Sequence, residues 1–339
     1  MPTIKALAAH SPGGRLEPFT YEVGHLAPEE VEIEIDYTGI CHSDLSMLEN
    51  EWGITTYPFV PGHEAIGRIS AMGEVAQTKG LKVGQRVGIG WMASSCLHCP
   101  QCIQGHQQLC LQGQPTIVGH HGSFATRVRA HWVWAVPISD ALDPSSAGPL
   151  LCGGITVFAP LLHLNTRSTA RVGVFGIGGL GHMALMFLKA WGCEVVAFSS
   201  SPAKADEARG FGASKVVNSR STSEMKPLAG TLDLVLITAN APLDWDAIVN
   251  LLAPGGKLHF VGAVLEPVPV QVFSLILGQK SISGSPTGSR GEIDSMLAFA
   301  ARHNISPKVQ HFPMSQANEA MDHLRAGKAN YRIVLDADL

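Results

Sequence analysis

The 339-residue chain lacks several features that would point to large classes of partner. It carries no block of like charges, which excludes an acidic or basic arm. Its formal net charge of −4 argues against a nucleic acid held by bulk electrostatics. No charge-free apolar run is long enough to span a bilayer, and even the stretch through Phe187 is broken by glycines and by His182. The opening Met1-Pro2-Thr3-Ile4-Lys5-Ala6 has neither the apolar run nor the small-residue cleavage site of a secretory signal. There is no internal repeat and no low-complexity tract. The expectation is a soluble protein of a reducing cytoplasm, with no membrane and no nucleic acid among its partners. The length suggests about two domains, and the 45% of apolar residues is enough to fill two cores.

The cysteines carry the chemistry. In a reducing compartment, clustered cysteines are metal ligands more often than disulfides. Four of the seven fall at Cys96, Cys99, Cys102 and Cys110. Four thiolates complete a tetrahedron, so this set reads as a closed, structural zinc site that pins a loop with little core of its own. A redox pair, an iron–sulfur cluster, or His98 and His106 as competing ligands are the rival readings. Cys41 and Cys152 stand on either side of Gly62-His63-Glu64. Singly, each would pass as a buried thiol or a core histidine. Together they match the open two-cysteine, one-histidine pattern of a catalytic zinc, with Glu64 as a further oxygen ligand. Asp44 is placed to orient the His63 ring. Cys193 reads as a plain buried thiol.

A second constellation follows residue 170. Arg171-Val172-Gly173-Val174-Phe175 reads as a buried strand, Leu180 to Ala190 as a helix ended by Gly192, and Glu194 to Phe198 as the next strand. Gly176-Ile177-Gly178-Gly179-Leu180-Gly181 lies at the strand-to-helix junction, where glycines allow a tight turn, close approach of a pyrophosphate and close helix packing. Further strands are expected at 233–237 and 257–261, giving a parallel sheet. An NAD site usually has a carboxylate about 20 residues on. Here the stretch is Ser199-Ser200-Ser201-Pro202-Ala203-Lys204, with hydroxyls and an ammonium but no acid, and Asp206 falls in the next helix. That set suits the 2′-phosphate of NADPH/NADP+. Before residue 153 the chain is β-rich: Val31, Ile33, Ile35 and Tyr37 alternate with acids, a strand with one wet face. Near the end, Ser315 is expected to cap a helix that Gly327 closes, before a last strand at 331–335.

Gly62-His63-Glu64-Ala65-Ile66-Gly67, Cys41-His42-Ser43-Asp44, the four-cysteine lobe, Cys152-Gly153-Gly154-Ile155-Thr156 and the glycine motif occur in an order that resembles the zinc-dependent medium-chain alcohol dehydrogenases. The Ser199-Ser200-Ser201 stretch is similar to the cinnamyl-alcohol-dehydrogenase branch, and the surroundings of Trp52 and Cys152 resemble its bacterial NADPH-dependent aldehyde reductases. The resemblance implies an α/β protein: a β-rich GroES-like catalytic domain (1–152 and 290–339, structural zinc lobe 94–112) and a Rossmann doubly wound parallel sheet (153–289). It implies two Zn2+ per chain, a catalytic ion on Cys41, His63, Cys152 and at times Glu64, and a structural ion on the four-cysteine lobe.

The same resemblance makes Ser43 the first member of a proton relay and places Thr156 at the nicotinamide. The glycine-motif residues Gly176, Gly178, Gly179, Leu180 and Gly181, with Val264, would hold the cofactor, and Ser199, Ser200, Ser201 and Lys204 would meet its 2′-phosphate. The implied reaction is NADPH-dependent, reversible reduction of aldehydes to primary alcohols, in a homodimer formed edge to edge. Many relatives have a histidine where this chain has Ser46, and an aspartate where it has Gln85. The relay's end and any carboxylate role at 85 are therefore left open. Trp52 and Phe158 are candidates for the substrate pocket or the core. Physiological alcohol oxidation, and a catalytically silent nucleotide sensor, are the other functions compatible with these residues; an intact open metal set argues against the sensor.

Overall fold

The structure is a computed structural model and describes residues 2–339. The chain divides into two compact units, Met1–Ile155 with Thr287–Leu339, and Thr156–Pro286.

The first unit is built on a seven-stranded sheet. Its path runs Val309–Pro313, Arg332–Asp336, Glu30–Ile40, Ala65–Met72, Arg86–Ile89 and Val136–Pro137, with Arg127–His131 also paired to Glu30–Ile40. The long central strand buries Val31, Ile33 and Ile35, as the alternation predicts. Its opposite face is not uniformly wet. Glu32 is buried because Arg129 (2.9 Å) and Arg127 (3.3 Å) of the neighbouring strand close over it. The C-terminal strand pairs antiparallel with the far end of the same central strand, Ile333 opposite Ile40. A separate hairpin, Thr3–Ala8 with Glu17–Glu22, covers one side.

The expected cap at Ser315 is not formed. Ser315 Oγ and N bind the Asp338 carboxylate instead, Met314–Gln316 makes a 3-10 turn, and the helix Ala317–Arg325 begins after it. Gly327 does close that helix, with φ +65°. Gln85 accepts from the Lys82 N–H at 3.0 Å and so stabilises its own turn without a carboxylate.

The second unit carries a six-stranded parallel sheet. In spatial order its strands are Lys215–Asn218, Glu194–Ser199, Arg171–Phe175, Leu232–Ile237, Leu252–Phe260 and Ser281–Gly284. Numbered along this unit, the order is 3-2-1-4-5-6, that of a doubly wound dinucleotide fold. The two central strands are apolar throughout the sheet's middle, with Val172, Val174, Val235 and Leu236 inaccessible to solvent. Phe158 belongs to this unit's core: it is buried and packs edge-on against Phe187 (5.3 Å) and Trp191 (5.8 Å). Among the described residues no single helix is long and apolar enough to cross a membrane.

Candidate functional site

Cys41, His63, Glu64 and Cys152 converge in the first unit, with one ligand atom from each lying within 4.8 Å of all the others. Cys41 caps the short helix His42–Leu48, whose first turn brings Asp44 back under it. His63 and Glu64 precede the strand Ala65–Met72, and Gly62 at φ +101° makes the turn that aims them. Any Cβ at Gly62 would sit 2.5 Å from Ser123 Oγ.

Asp44 holds the geometry. Its wholly buried carboxylate accepts from the Cys41 N–H (2.9 Å), the Gly62 N–H (2.9 Å) and His63 Nδ1 (3.0 Å). With one proton fixed on Nδ1, His63 turns Nε2 to the sulfurs, the atom that would bind a metal once its own proton is displaced. Nε2 lies 3.2 Å from Cys152 Sγ, and the two sulfurs are 3.9 Å apart. A tetrahedral zinc would set two sulfurs about 3.8 Å apart and a nitrogen–sulfur pair about 3.6 Å apart.

The electrostatics call for a cation. The two thiols share a proton: the hydrogen bond from Cys152 pulls Cys41 well below its ordinary value, while that same bond pushes Cys152 well above. Burial disfavours charge on His63, but Asp44 and Cys41 outweigh it and raise its pKa. Burial raises the Glu64 carboxyl, and the Arg332 guanidinium limits the rise. Arg332 bonds Glu64 Oε1 in a fully buried pair, while Glu64 Oε2 is buried with no hydrogen-bond partner. Arg332 was not found in the sequence, where it stands 268 residues from Glu64; the only signal is a lone cation opening an apolar strand. Two thiols, an imidazole nitrogen and a carboxylate with one oxygen buried without a hydrogen-bond partner fit a divalent ion, which would displace the protons.

Around these ligands, Ser43 Oγ accepts from Cys41 Sγ at 3.7 Å, and Ser46 is buried in the same helix. Trp91 stands edge-on to His63 at 5.2 Å and meets Trp52 at 6.1 Å. Trp52 thus flanks the site, through a Trp91 that the sequence reading passed over.

The second cluster gathers Cys96, Cys99, Cys102 and Cys110, again within 4.8 Å. Cys96–Cys102 and Cys99–Cys110 are each separated by 3.9 Å, too far for a disulfide and close to the edge of a zinc–thiolate tetrahedron. The spacing suits one four-coordinate ion and leaves no room for a multi-iron cluster. Neither His98 nor His106 joins the group; His98 is exposed and bonds the Cys96 carbonyl. Backbone N–H groups of His98 and Cys99 pull the Cys96 thiol down to about 6 against its desolvation, whereas burial and neighbouring thiols push Cys102 up to about 12. Four sulfurs this close cannot all ionise without a cation between them.

In the second unit, the glycine turn sits at the switch point of the sheet, between the strands Arg171–Phe175 and Leu232–Ile237. Gly176 has φ +94°, and a Cβ on Gly181 would lie 2.0 Å from the Gly176 carbonyl oxygen. A Cβ on Gly178 would meet nothing within 4 Å, the open space a diphosphate needs. Gly178 also begins the helix Gly179–Trp191 without a side-chain cap, so the first N–H groups, including those of Leu180 and Gly181, face that space. Ser199 ends its strand, and its hydroxyl accepts from the Ser201 N–H at 3.2 Å; Ser200 is exposed. Lys204 Nζ reaches the Ile177 carbonyl at 3.1 Å, which draws the ammonium to the glycine turn. Asp206 is turned outward and paired with Arg209 at 2.7 Å. Thr156 donates to the Pro286 carbonyl at 3.2 Å, and Val264 packs on the sheet's core.

The chain has known relatives. Residues 27–140 match the alcohol dehydrogenase GroES-like domain, and residues 179–302 match the zinc-binding dehydrogenase family. An aldehyde reductase of a Synechocystis strain is 50% identical over 98% of each chain. A cinnamyl alcohol dehydrogenase of Sorghum bicolor superposes with a TM-score of 0.93 at 33% identity, covering 99% of this chain and 98% of that one. A Helicobacter pylori cinnamyl alcohol dehydrogenase, solved with NADP(H), gives 0.89 at 30% identity over 98% of both. With near-complete coverage by relatives of this similarity, the chain belongs to the zinc-dependent medium-chain alcohol dehydrogenases, in the branch of the cinnamyl alcohol dehydrogenases.

Proposed function

We propose that this protein reduces aldehydes to primary alcohols with NADPH, reversibly, and holds two zinc ions per chain. The observation that carries the reading is the convergence of ligand atoms from Cys41, His63, Glu64 and Cys152 in one buried group. A zinc ion held there would supply a Lewis acid for the carbonyl oxygen, and NADPH the hydride. The chain's residues do the rest. Asp44 keeps the His63 proton on Nδ1. Ser43 Oγ, beside Cys41 Sγ, hands a proton toward the product oxygen. The Trp91–Trp52 pair supplies an aromatic wall that favours flat or unsaturated aldehydes. Ser199, Ser200, Ser201 and Lys204 support NADPH over NADH, because no carboxylate stands where a 2′-phosphate would be repelled.

A homodimer formed through the second unit's edge is part of the same proposal. The strand Ser281–Gly284 ends the sheet with one side unpaired, and the adjoining helix Val272–Gly278 exposes Phe273 (68%) and Leu277 (73%). A second copy pairing strand to strand would cover both. All seven cysteines are free thiols, which suits a reducing cytoplasm.

The test is metal analysis of purified protein together with NADPH oxidation over a panel of aliphatic and aromatic aldehydes. Two zinc ions and turnover are expected. Absence of turnover by protein carrying both ions would overturn the reading. Light scattering of wild type and Phe273→Glu checks the dimer, which the charge should split.

A further inference from the structure

Apart from both cysteine clusters and the glycine turn, the first unit contains a cavity of about 470 Å3. It lies among the Thr3–Ala8/Glu17–Glu22 hairpin, residues 56–59 and the 117–121 loop. Its volume falls in the range of small-molecule sites, about 300–1,000 Å3. Ile4, Val23, Pro58, Phe59 and Ile117 give it apolar walls. Tyr21 and His121 form one side as a ring pair with centroids 4.3 Å apart, and Phe19 meets the same imidazole edge-on at 5.8 Å.

The polar groups on its wall include several acceptors, beside the Tyr21 and Thr56 hydroxyls, which can both donate and accept. His120 Nδ1 lies 3.1 Å from the Thr116 carbonyl, which can only accept, so Nδ1 carries the proton. Burial holds both His120 and His121 below the ordinary 6.5; the His120 charge lowers His121 further, while hydrogen bonds to the Thr116 and His121 backbone, and the charge of the Glu30 carboxylate, offset part of the fall at His120. The neutral His120 ring therefore offers a bare Nε2. Glu30 takes the Ala27 N–H on Oε2 at 2.9 Å, which leaves Oε1 as a second acceptor. The one cation, Arg129, is committed: to Glu32 at 2.9 and 3.0 Å and to the Gly24 carbonyl at 2.9 Å. A site with apolar and aromatic walls, acceptors, hydroxyls and no uncommitted cation suits a flat, neutral ligand whose hydroxyl can both donate and accept. A metal ion is disfavoured, because the donor atoms of Glu30, His120 and His121 do not converge as the two cysteine groups do. An organic ammonium is disfavoured by the Arg129 guanidinium in the same wall.

We propose that this cavity is a second small-molecule site, for a neutral aromatic alcohol or phenol whose hydroxyl donates to the acceptors of His120, His121 and Glu30 while its ring lies against Tyr21 and Phe59. The site is independent of the reductase reading, since none of its residues belongs to the metal or nucleotide sets.

The experiment uses the full-length, zinc-loaded protein and 4-fluorobenzyl alcohol, followed by 19F NMR titration. Two bound populations are expected, one of which survives Cys152→Ser. Val23→Trp fills the cavity and should abolish that surviving population. His121→Phe keeps a ring but removes an acceptor, and should weaken it about 10-fold. Thermal midpoints confirm folding, so if one variant fails to fold the other decides. Both variants should leave benzaldehyde reduction within about twofold of wild type. The proposal is overturned if every bound signal vanishes with Cys152→Ser, or if neither cavity variant changes the signal that remains. Loss of aldehyde turnover in the wild type would sink the reductase reading alone.

Discussion

Replacing Asp44 by Asn removes one charge and changes no volume, yet it should selectively cripple one of the two metal sites. The carboxylate receives three N–H donors, from Cys41, Gly62 and His63. An amide has only one oxygen. If its NH2 takes the Oδ2 position, it meets the Cys41 N–H donor to donor. If it takes the Oδ1 position, it meets the Gly62 N–H and drives the imidazole to its other tautomer, with a proton on Nε2, the atom that faces the sulfurs. Either way a buried donor goes unsatisfied, at about 1–3 kcal/mol. Loss of such an orienting partner typically weakens metal binding 10–100-fold, about 1.4–2.8 kcal/mol. The assay is competitive titration with a chromophoric zinc chelator. Wild type should hold both ions tightly. In Asp44→Asn the ion on Cys41, His63 and Cys152 should weaken by that factor, while the four-cysteine ion keeps its affinity. Retention of both ions within about threefold of wild type would refute the argument that Asp44 sets the His63 proton.

Three further outcomes follow from the same geometry. Lys204→Ala should raise the Michaelis constant for NADPH about 10–100-fold, the worth of one charge-assisted contact, and leave that for NADH unchanged in parallel steady-state assays. Cys99→Ser should lower the zinc content from two to one, and limited proteolysis should then cut within residues 94–112, where Ile103 and Leu111 are already exposed. His259 is buried between Ser283 Oγ (2.8 Å) and Ser285 Oγ (2.9 Å), and burial, with His163 nearby, depresses it to about 4. The unfolded chain takes up that proton near 6.5, so stability should fall as pH drops from 6.5 toward 4, by up to about 3 kcal/mol, and stay flat above. Urea midpoints at pH 7 and 4.5 measure this, and His259→Gln should flatten the slope.

What was legible in the sequence is what local spacing controls. The four cysteines from 96 to 110 close one loop, so their spacing alone reports the cluster. The glycines report their turn because each is demanded by backbone contact, as Gly181 is by the Gly176 carbonyl. The alternation of Val31, Ile33 and Ile35 reports a buried face. What was not legible depends on partners far along the chain. Glu32 reads as a wet residue until the arginines of another strand cover it. Glu64 reads as a ligand alone, without the Arg332 that neutralises it from the far end of the chain. Ser315 is a fair cap by composition, but Asp338 offers its hydroxyl and N–H a charged acceptor, which outcompetes a helix N-terminus. Phe158 follows the Cys152 motif closely enough to suggest a pocket, yet its neighbours are Phe187 and Trp191.

The strand Arg332–Asp336 has a consequence for biosynthesis. A ribosome makes these residues after the whole nucleotide-binding unit, yet they lie directly against the central Glu30–Ile40 strand and carry the guanidinium opposite Glu64. The four-cysteine lobe has every donor in hand by residue 110 and can load its ion on the nascent chain. The Cys41–His63–Cys152 pocket cannot reach its final charge balance until Arg332 has been made, so an ion held there would be secured later than one on the four-cysteine lobe.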